Sequence, residues 1–204
     1  MAAFLLLSED LILFWRVDVV AGVGDVRAGW GMKLAVMQPY LFPYIGYFQL
    51  MRAVDRFVYF DDVGFIKRGW INGNRILHSG APWKFSVPLS RIRSNTAISD
   101  TRIHEGVFPF WRKKFLTALK QEYARATMVR EVVPLVEDVL DHEAHRIGDL
   151  ARYSVEAVVD YLGLDHVSAV SSSVFGNRHL KGERRILDIC EQEEAGTYIN
   201  LPGG

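Results

Sequence analysis

The sequence predicts an α/β fold: a mostly parallel sheet opening as strand, loop, helix, strand, then a hairpin insertion and a helical second half. Three observations carry this. Residues 34–37, Leu-Ala-Val-Met, form a short apolar run suited to a strand covered on both faces. A second run at residues 57–60 follows one helix-length segment, the βαβ signal for parallel strands. From Trp111 onward, apolar residues recur at helical spacing.

The elements follow in order. The first strand stops at Gln38-Pro39, because proline cannot extend a central ladder. Pro39, Pro43 and Gly46 keep the next stretch irregular. A helix is expected over residues 46–54, with Phe48, Leu50, Met51 and Val54 as its apolar positions. The strand at 57–60 ends at Asp61-Asp62. Gly69 and the Asn72-Gly73-Asn74 triplet read as turn chemistry. Ile76-Leu77, a turn at 78–82 and a strand at 83–89 make the hairpin. Residues 91–104 read as a loop with a short strand at 98–103.

Trp111, Phe115, Leu119 and Tyr123, with Leu116 beside them, predict a helix. Leu135, Val139, Ile147, Leu150, Val155, Val158 and Leu162 fit one long amphipathic helix, with Gly148 as the place for a break and Gly163 as its stop. A strand at 167–170 follows. Then comes a helix at 181–194, with Ile186, Ile189 and Cys190 inward and Gly196 ending it. A strand at 197–201 runs into the turn Pro202-Gly203-Gly204.

Composition narrows the function classes. The 204 residues are 50% hydrophobic and 12% aromatic, which excludes disorder as the main description. Cys190 is the one cysteine, so a disulfide framework is excluded and a reducing, cytoplasmic location is expected. No apolar stretch reaches the roughly 20 residues that span a bilayer. Residues 1–31 read as an upstream translation of the reading frame or as a genuine amphipathic extension. They carry no basic segment before the apolar run, so a secretory signal is not expected. Residues 32–204 read as a single domain, and the closing Pro-Gly-Gly looks like the start of a loop in a longer chain.

Two of the 24 basic and four of the 24 acidic residues fall in 1–31, leaving 22 and 20. By net charge alone, that near-neutral balance predicts neither nucleic-acid nor membrane binding. The distribution says more. Residues 63–99 contain no Asp or Glu but hold Lys67, Arg68, Arg75, Lys84, Arg91 and Arg93, a local positive field suited to an anionic small molecule.

Candidate site residues cluster where open α/β sheets bind ligands, at the carboxyl ends of strands. The loop at 38–48 carries three Tyr and two Phe. Gln38, Tyr40 and Tyr44 read as a ligand wall, or the loop reads as an aromatic lid over the core. Asp61 and Asp62 end the second strand. Alternation points them to opposite faces, so one can meet a ligand hydroxyl, a metal or a catalytic proton while the other caps backbone. Lys67, Arg68 and Arg75 can grip phosphate or carboxylate, Trp70 can stack or meet an Arg, and Asn72 and Asn74 can read hydroxyls. The alternative is a hairpin with an ordinary charged edge.

Other motifs are absent. His142-Glu143-Ala144-His145 lacks the His–His spacing of a zincin and reads as a solvated helix face, so no metal site is expected. Ser171-Ser172-Ser173 lacks the nucleophile elbow, and there is no P-loop or dinucleotide fingerprint. Cys190 reads as an inert core thiol.

Two strings resemble the WbqC-like protein family. They are Met37-Gln38-Pro39-Tyr40-Leu41-Phe42-Pro43-Tyr44-Ile45-Gly46-Tyr47-Phe48-Gln49-Leu50 and the stretch from Asp61-Asp62-Val63 through Lys67-Arg68-Gly69-Trp70-Ile71-Asn72. Trp83, Pro88-Leu89, Trp111 with Lys114, Tyr123, Ser171-Ser172 and Arg184-Arg185-Ile186 also look like it. The resemblance runs from Met32 to Gly204, which supports Met32 as the natural start. Two positions depart from the family: Gly73, where an Arg is usual, and Phe115, where a His is usual.

The resemblance implies a bacterial protein linked to surface-polysaccharide and O-antigen gene clusters. It also implies a role in transferring a glycyl or other acyl group to a nucleotide- or lipid-linked amino sugar. Asp62 and Lys67 are the first candidates for catalysis on this reading, and ATP or a nucleotide-sugar is the ligand to expect. Two other readings stand beside it: a nucleotidyl-transferring or amino-acid-adenylating enzyme, and a non-catalytic sugar- or nucleotide-binding subunit.

Overall fold

A computed structural model describes residues 31–164 and 168–201. Strand β1 (Met32–Met37) is central. It pairs in parallel with β2 (Arg56–Tyr59) on one side and β6 (Ala195–Tyr198) on the other, and β5 (Ser168–Ser171) adds outside β2. The order is β5-β2-β1-β6.

Leu34, Ala35 and Val36 are all buried, as both faces of a parallel sheet must be. Ala35, Phe57 and Tyr59 face helices α1 (Ile45–Arg52) and α4 (Ile147–Tyr161), and Tyr47, Leu50, Val155 and Val159 complete that layer. Leu34, Val36 and Val58 face α5 (Glu183–Gln192) through Ile189 and Cys190. From β1 to β2 the chain moves one way along the sheet, and from β5 to β6 it moves the other way. A right-handed crossover that reverses direction must change face, and α1 and α5 do lie on opposite faces.

The chain between β2 and β5 builds a second core. It holds the hairpin of β3 (Gly73–His78) and β4 (Ala81–Ser86), then α2 (Phe108–Glu122), α3 (Val129–Asp141) and α4. Phe85 packs against Phe115 with ring centres 4.4 Å apart, so the Phe that departs from the family pattern is a core residue. The loop after β1 plugs into this core through Leu41 and Phe42.

Several expected elements differ. The Asn72-Gly73-Asn74 triplet is not a turn; Gly73 and Asn74 open β3. A Cβ at Gly73 would lie 2.2 Å from the Phe85 carbonyl oxygen, so glycine serves the strand pairing here. The hairpin turns instead at Ser79 and Gly80, both at positive φ, as a two-residue turn requires. The strand expected at 98–103 is a 3-10 turn at Ile98–Asp100, with the Thr101 hydroxyl donating to the Ala97 carbonyl. Two isolated bridges, Ile103 to Leu89 and Arg102 to Arg146, are what remains of strand pairing there.

The long helix is two helices, α3 and α4, and its break is not at Gly148. Arg146 bridges Arg102, the Ile103 N–H donates to the His145 carbonyl, and the Ile147 N–H donates to Thr101. This extended pairing takes the chain out of helix at 142–146. Gly148 lies inside α4, where a Cβ would come 3.4 Å from Ile98. His142 and His145 are therefore in a connection rather than on a helix face. His142 stacks on Tyr153 at 3.8 Å, and His145 meets Glu105 at 3.5 Å. Helix α5 ends before Gly196, with Glu194 at positive φ, and Gly196 lies within β6. The stop at Gly163 holds, at φ 59°. The segment at 1–30, Val167 and the closing turn at 202–204 lie outside the described residues.

Asn74 ties the loop after β1 to the hairpin. Its buried amide donates to the Phe42 carbonyl at 2.6 Å, while its oxygen accepts from the Arg75 N–H at 2.8 Å. Asn74→Ala should therefore cost about 1–3 kcal/mol by leaving buried backbone groups unpaired. Urea unfolding of the variant against the parent checks this.

Candidate functional site

The crevice between β2 and β5 has the geometry that open α/β sheets use for ligands. The two strands are parallel neighbours with Tyr59 opposite Ser171, so both chains leave at the same edge. From β2 the chain turns to the face carrying α1 and α4. From β5 it turns to the face carrying α5. Adjacent strands whose connections part to opposite faces open a cleft at their carboxyl ends.

Asp61 and Asp62 stand at the β2 side of this cleft. The Asp61 N–H donates to the Tyr59 carbonyl at 2.9 Å, a tight turn centred on Phe60. That turn cancels strand alternation. Instead of facing opposite ways, both carboxylates approach one hydroxyl: Ser172 Oγ lies 3.4 Å from Asp61 Oδ1 and also hydrogen-bonds Asp62 Oδ1.

Asp62 is the anchor of the cluster. Both its oxygens accept from Arg185 Nη2 at 2.7 Å, and Arg178 Nε lies 3.7 Å away. The side chains of Asp62 and Arg185 are 1% and 4% exposed, so this is a buried charge pair. Arg185 Nε donates to Asn177 Oδ1 at 2.8 Å, and its guanidinium lies 4.8 Å from the Phe60 ring centre. Asn177 in turn donates to Asp188 at 2.7 Å. Hydrogen bonds from Asn177 and Gln192 hold the Asp188 carboxyl below its ordinary value. The arginine's orientation is thus set from three sides.

Asp61 is held differently. Burial pushes its carboxyl above the ordinary 3.8, against the lowering pull of the Ser171 hydrogen bond and of Arg152. Ser171 Oγ donates to Asp61 Oδ1 at 2.6 Å. Ser171 spends its proton there, so the 2.7 Å contact between Ser171 and Ser173 has Ser173 donating. Ser173 is exposed, and two hydroxyls therefore run from the surface to the Asp61 carboxyl. Arg152, on α4, places Nη1 3.8 Å from Asp61 Oδ2 and its guanidinium 5.2 Å over the Tyr59 ring. The Tyr59 hydroxyl and Arg152 Nε are buried without a hydrogen-bond partner among the described residues. Burial raises the Tyr59 phenol far above its usual value, so it remains a neutral donor.

The other expected site residues divide into three groups. Gln38, Tyr40 and Tyr44 leave β1 at the same edge as Asp61, since Met37 and Tyr59 are in register. Tyr40 is half-buried and Tyr44 exposed, and burial raises both phenols. Gln38 accepts the Tyr47 hydroxyl on its carbonyl at 3.1 Å. The rest of that loop belongs to the core, with Leu41, Phe42 and Tyr47 buried, so its inner half is the lid and its outer half keeps the tyrosines.

Asn72 and Asn74 turn their amides to backbone, Asn72 donating to the Val87 carbonyl at 3.0 Å. Lys67, Arg68, Trp70 and Arg75 are exposed on the hairpin side. Arg75 lies 5.5 Å over the Trp70 ring, and Lys84 donates to the Arg68 carbonyl at 3.1 Å. No hydrogen bond or ion pair among the described residues joins Lys67, Arg68 or Arg75 to either carboxylate.

Arg152, Arg178 and Asn177 escaped the sequence reading, and Arg185 entered it only through resemblance. One signal was present for Arg185. It sits four residues before Ile189, on the inward stripe of α5, where an arginine needs a buried carboxylate. Ser171 and Ser172, which lack a nucleophile elbow, serve as hydrogen-bond donors to Asp61 and Asp62. Cys190 is buried, and burial pushes its thiol up, in keeping with an inert core position. Among the described residues no group of three or more metal-ligating side chains converges. No described helix is long and apolar enough to cross a membrane.

Comparison with known proteins agrees with the strings that first pointed to a family. The WbqC-like protein family matches residues 38–204. A protein of Mycobacterium tuberculosis (strain ATCC 25618 / H37Rv), "Uncharacterized protein Rv1507c", is 30% identical over 174 residues, covering 83% of this chain and 72% of its own length. No solved structure matches the chain significantly. The chain belongs to the WbqC-like protein family.

Breaking the anchor should be costly. Arg185→Met leaves Asp62 buried and unpaired, so stability should fall by about 3–5 kcal/mol. Chemical denaturation reads this directly, and a loss below about 1 kcal/mol would show that the pair is not the anchor.

Proposed function

We propose that this WbqC-like protein is a group transferase of bacterial surface-polysaccharide (O-antigen) biosynthesis, moving a glycyl or other acyl group onto a nucleotide- or lipid-linked amino sugar. The observation that supports it best is Asp61. It is a carboxyl with raised proton affinity at a strand-end cleft, joined by two hydroxyls to the surface and overhung by an arginine. That is the equipment of a general base beside an anion grip.

In this reading the acceptor amine attacks the acyl carbon, and the donor's leaving group departs with the bonding electrons. The proton released by nitrogen passes to Asp61, then through Ser171 and Ser173 to water. Arg152 and Arg178 meet the substrate's phosphate charge; their side chains are 32% and 58% exposed, so both can reach a ligand. Tyr40 and Tyr44 supply faces for a base or sugar. Asp62, saturated by Arg185 and Ser172, positions the site rather than moving a proton, so the base role passes to its neighbour. Lys67 stands apart on an exposed turn and takes no part in proton transfer here.

A thermal-shift panel tests this on the full chain with ATP–magnesium, several nucleotide-sugars and inorganic phosphate. A ligand at 100 times its dissociation constant stabilises a fold by about 2.7 kcal/mol. The expected result is a nucleotide-sugar shift that disappears in Arg152→Met, followed by a mass increase on the amino sugar when an acyl donor is supplied, an increase that Asp61→Asn loses. Binding without turnover would favour the binding subunit. Pyrophosphate exchange dependent on ATP and an amino acid would favour adenylation.

The pH dependence has a defined sign. Asp61 must be ionised to accept a proton, and burial raises the pH at which it ionises. Turnover should therefore climb through an acid limb centred above 3.8, and Asp61→Asn should abolish that limb along with most activity. An acid limb unchanged in the variant would remove Asp61 from the proton path.

A further inference from the structure

We propose that the outer face of the β3–β4 hairpin, with the turn at residues 66–69, is a docking surface for an anionic lipid bilayer. The surface is separate from the carboxylate cleft and does not depend on the reading given to that cleft. It starts from a charge anomaly. The full chain has a formal net charge of zero, yet residues 63–99 hold six Lys and Arg and no Asp or Glu. Their cations are therefore not neutralised within that segment.

Strand alternation sorts the hairpin into two faces. Asn74, Ile76 and Phe85 point inward and are buried. Arg75 and Leu77 point outward, opposite Lys84 and Pro82 in the antiparallel register. The turn at 66–69 joins this outer face, because Lys84 donates to the Arg68 carbonyl and Arg75 lies over Trp70. Ile66 is 56% exposed, Leu77 47% and Trp70 37%. Arg68 holds a left-handed backbone at φ 64°, a conformation that costs energy for a non-glycine residue. It keeps Lys67 and Arg68 at the tip of the turn.

The combination selects the partner. A free phosphate needs cations alone and gives Ile66 and Leu77 nothing to cover them. Nucleic acid binding rests on open aromatic faces for stacking, but Arg75 lies over one face of Trp70, and bases would leave Ile66 and Leu77 uncovered. The headgroup region of an anionic bilayer takes both features: acidic phosphates for Lys67, Arg68, Arg75 and Lys84, and acyl-chain margins for Ile66 and Leu77.

Vesicle flotation with the full chain tests this. The probes are phosphatidylcholine vesicles with and without about one-third phosphatidylglycerol. Partitioning onto the anionic vesicles only, falling with added salt, is the expected result. Each cation near such a surface contributes about fivefold, so Lys67→Ala with Lys84→Ala should weaken partitioning by about 25-fold. Ile66→Ser with Leu77→Ser should weaken it at unchanged charge. All four side chains are exposed, and circular dichroism checks that the variants remain folded. No partitioning of the parent chain onto anionic vesicles, or partitioning indifferent to both pairs of substitutions, would overturn the proposal. So would loss with the cations alone and none with Ile66 and Leu77. Binding of a single-stranded oligonucleotide in place of vesicles, with the same cation dependence, would reassign the surface to nucleic acid.

Discussion

The Asp62–Arg185 pair is the constraint on which the rest of the site depends. It joins the exit of β2 to the first turn of α5 across 123 residues of sequence. Burying two charges is expensive, and removing one partner costs more than the pair contributes. The partners are therefore held by everything around them: Asn177 on the guanidinium, Ser172 on the carboxylate and the Phe60 ring beneath. The stretch between β5 and α5 is fixed as a consequence, which places Ser171, Ser172 and Ser173 against the β2 exit.

That fixation divides the labour between two neighbouring carboxylates. Asp62 meets a full cation at hydrogen-bond distance. Asp61 meets a more distant one at 3.8 Å and two hydroxyls, so burial outweighs compensation and its proton affinity rises. The tight turn at Phe60 makes this possible by bringing both into one cluster. Two adjacent acids with unlike surroundings are the means by which a fold separates a structural charge from a reactive one.

What was legible in the sequence was local. The run Leu-Ala-Val-Met, the loop with two prolines, the α1 stripe and the second strand were read nearly as they stand, because periodicity and proline chemistry decide them. The hairpin was legible as a hairpin, but its turn was placed over 78–82 and its first strand was missed at Gly73 and Asn74, where packing against Phe85 overrides turn propensity. The α3–α4 break was misplaced because it is set by backbone pairing with residues 101–103, and no local signal marks it. At the site, Asp61 and Asp62 were visible from their place at a strand end. Their partners were not, since Ser171 and Ser172 lie about 110 residues away. The amides of Asn72 and Asn74, expected to read hydroxyls, are taken up by backbone carbonyls that only the folded chain brings near.

The division between the two acids is the central claim, and paired urea unfolding of Asp61→Asn and Asp62→Asn tests it most directly. Asp61 ionises at higher pH in the folded chain than in the unfolded one, so the folded state binds more protons just above 3.8. Stability conferred by Asp61 is therefore lost as pH rises through that window, and asparagine escapes the loss. The account predicts that at neutral pH Asp61→Asn is as stable as the parent or more so, whereas Asp62→Asn loses about 3–5 kcal/mol. Equal losses in both variants, or a harmless Asp62→Asn beside a damaging Asp61→Asn, would contradict it.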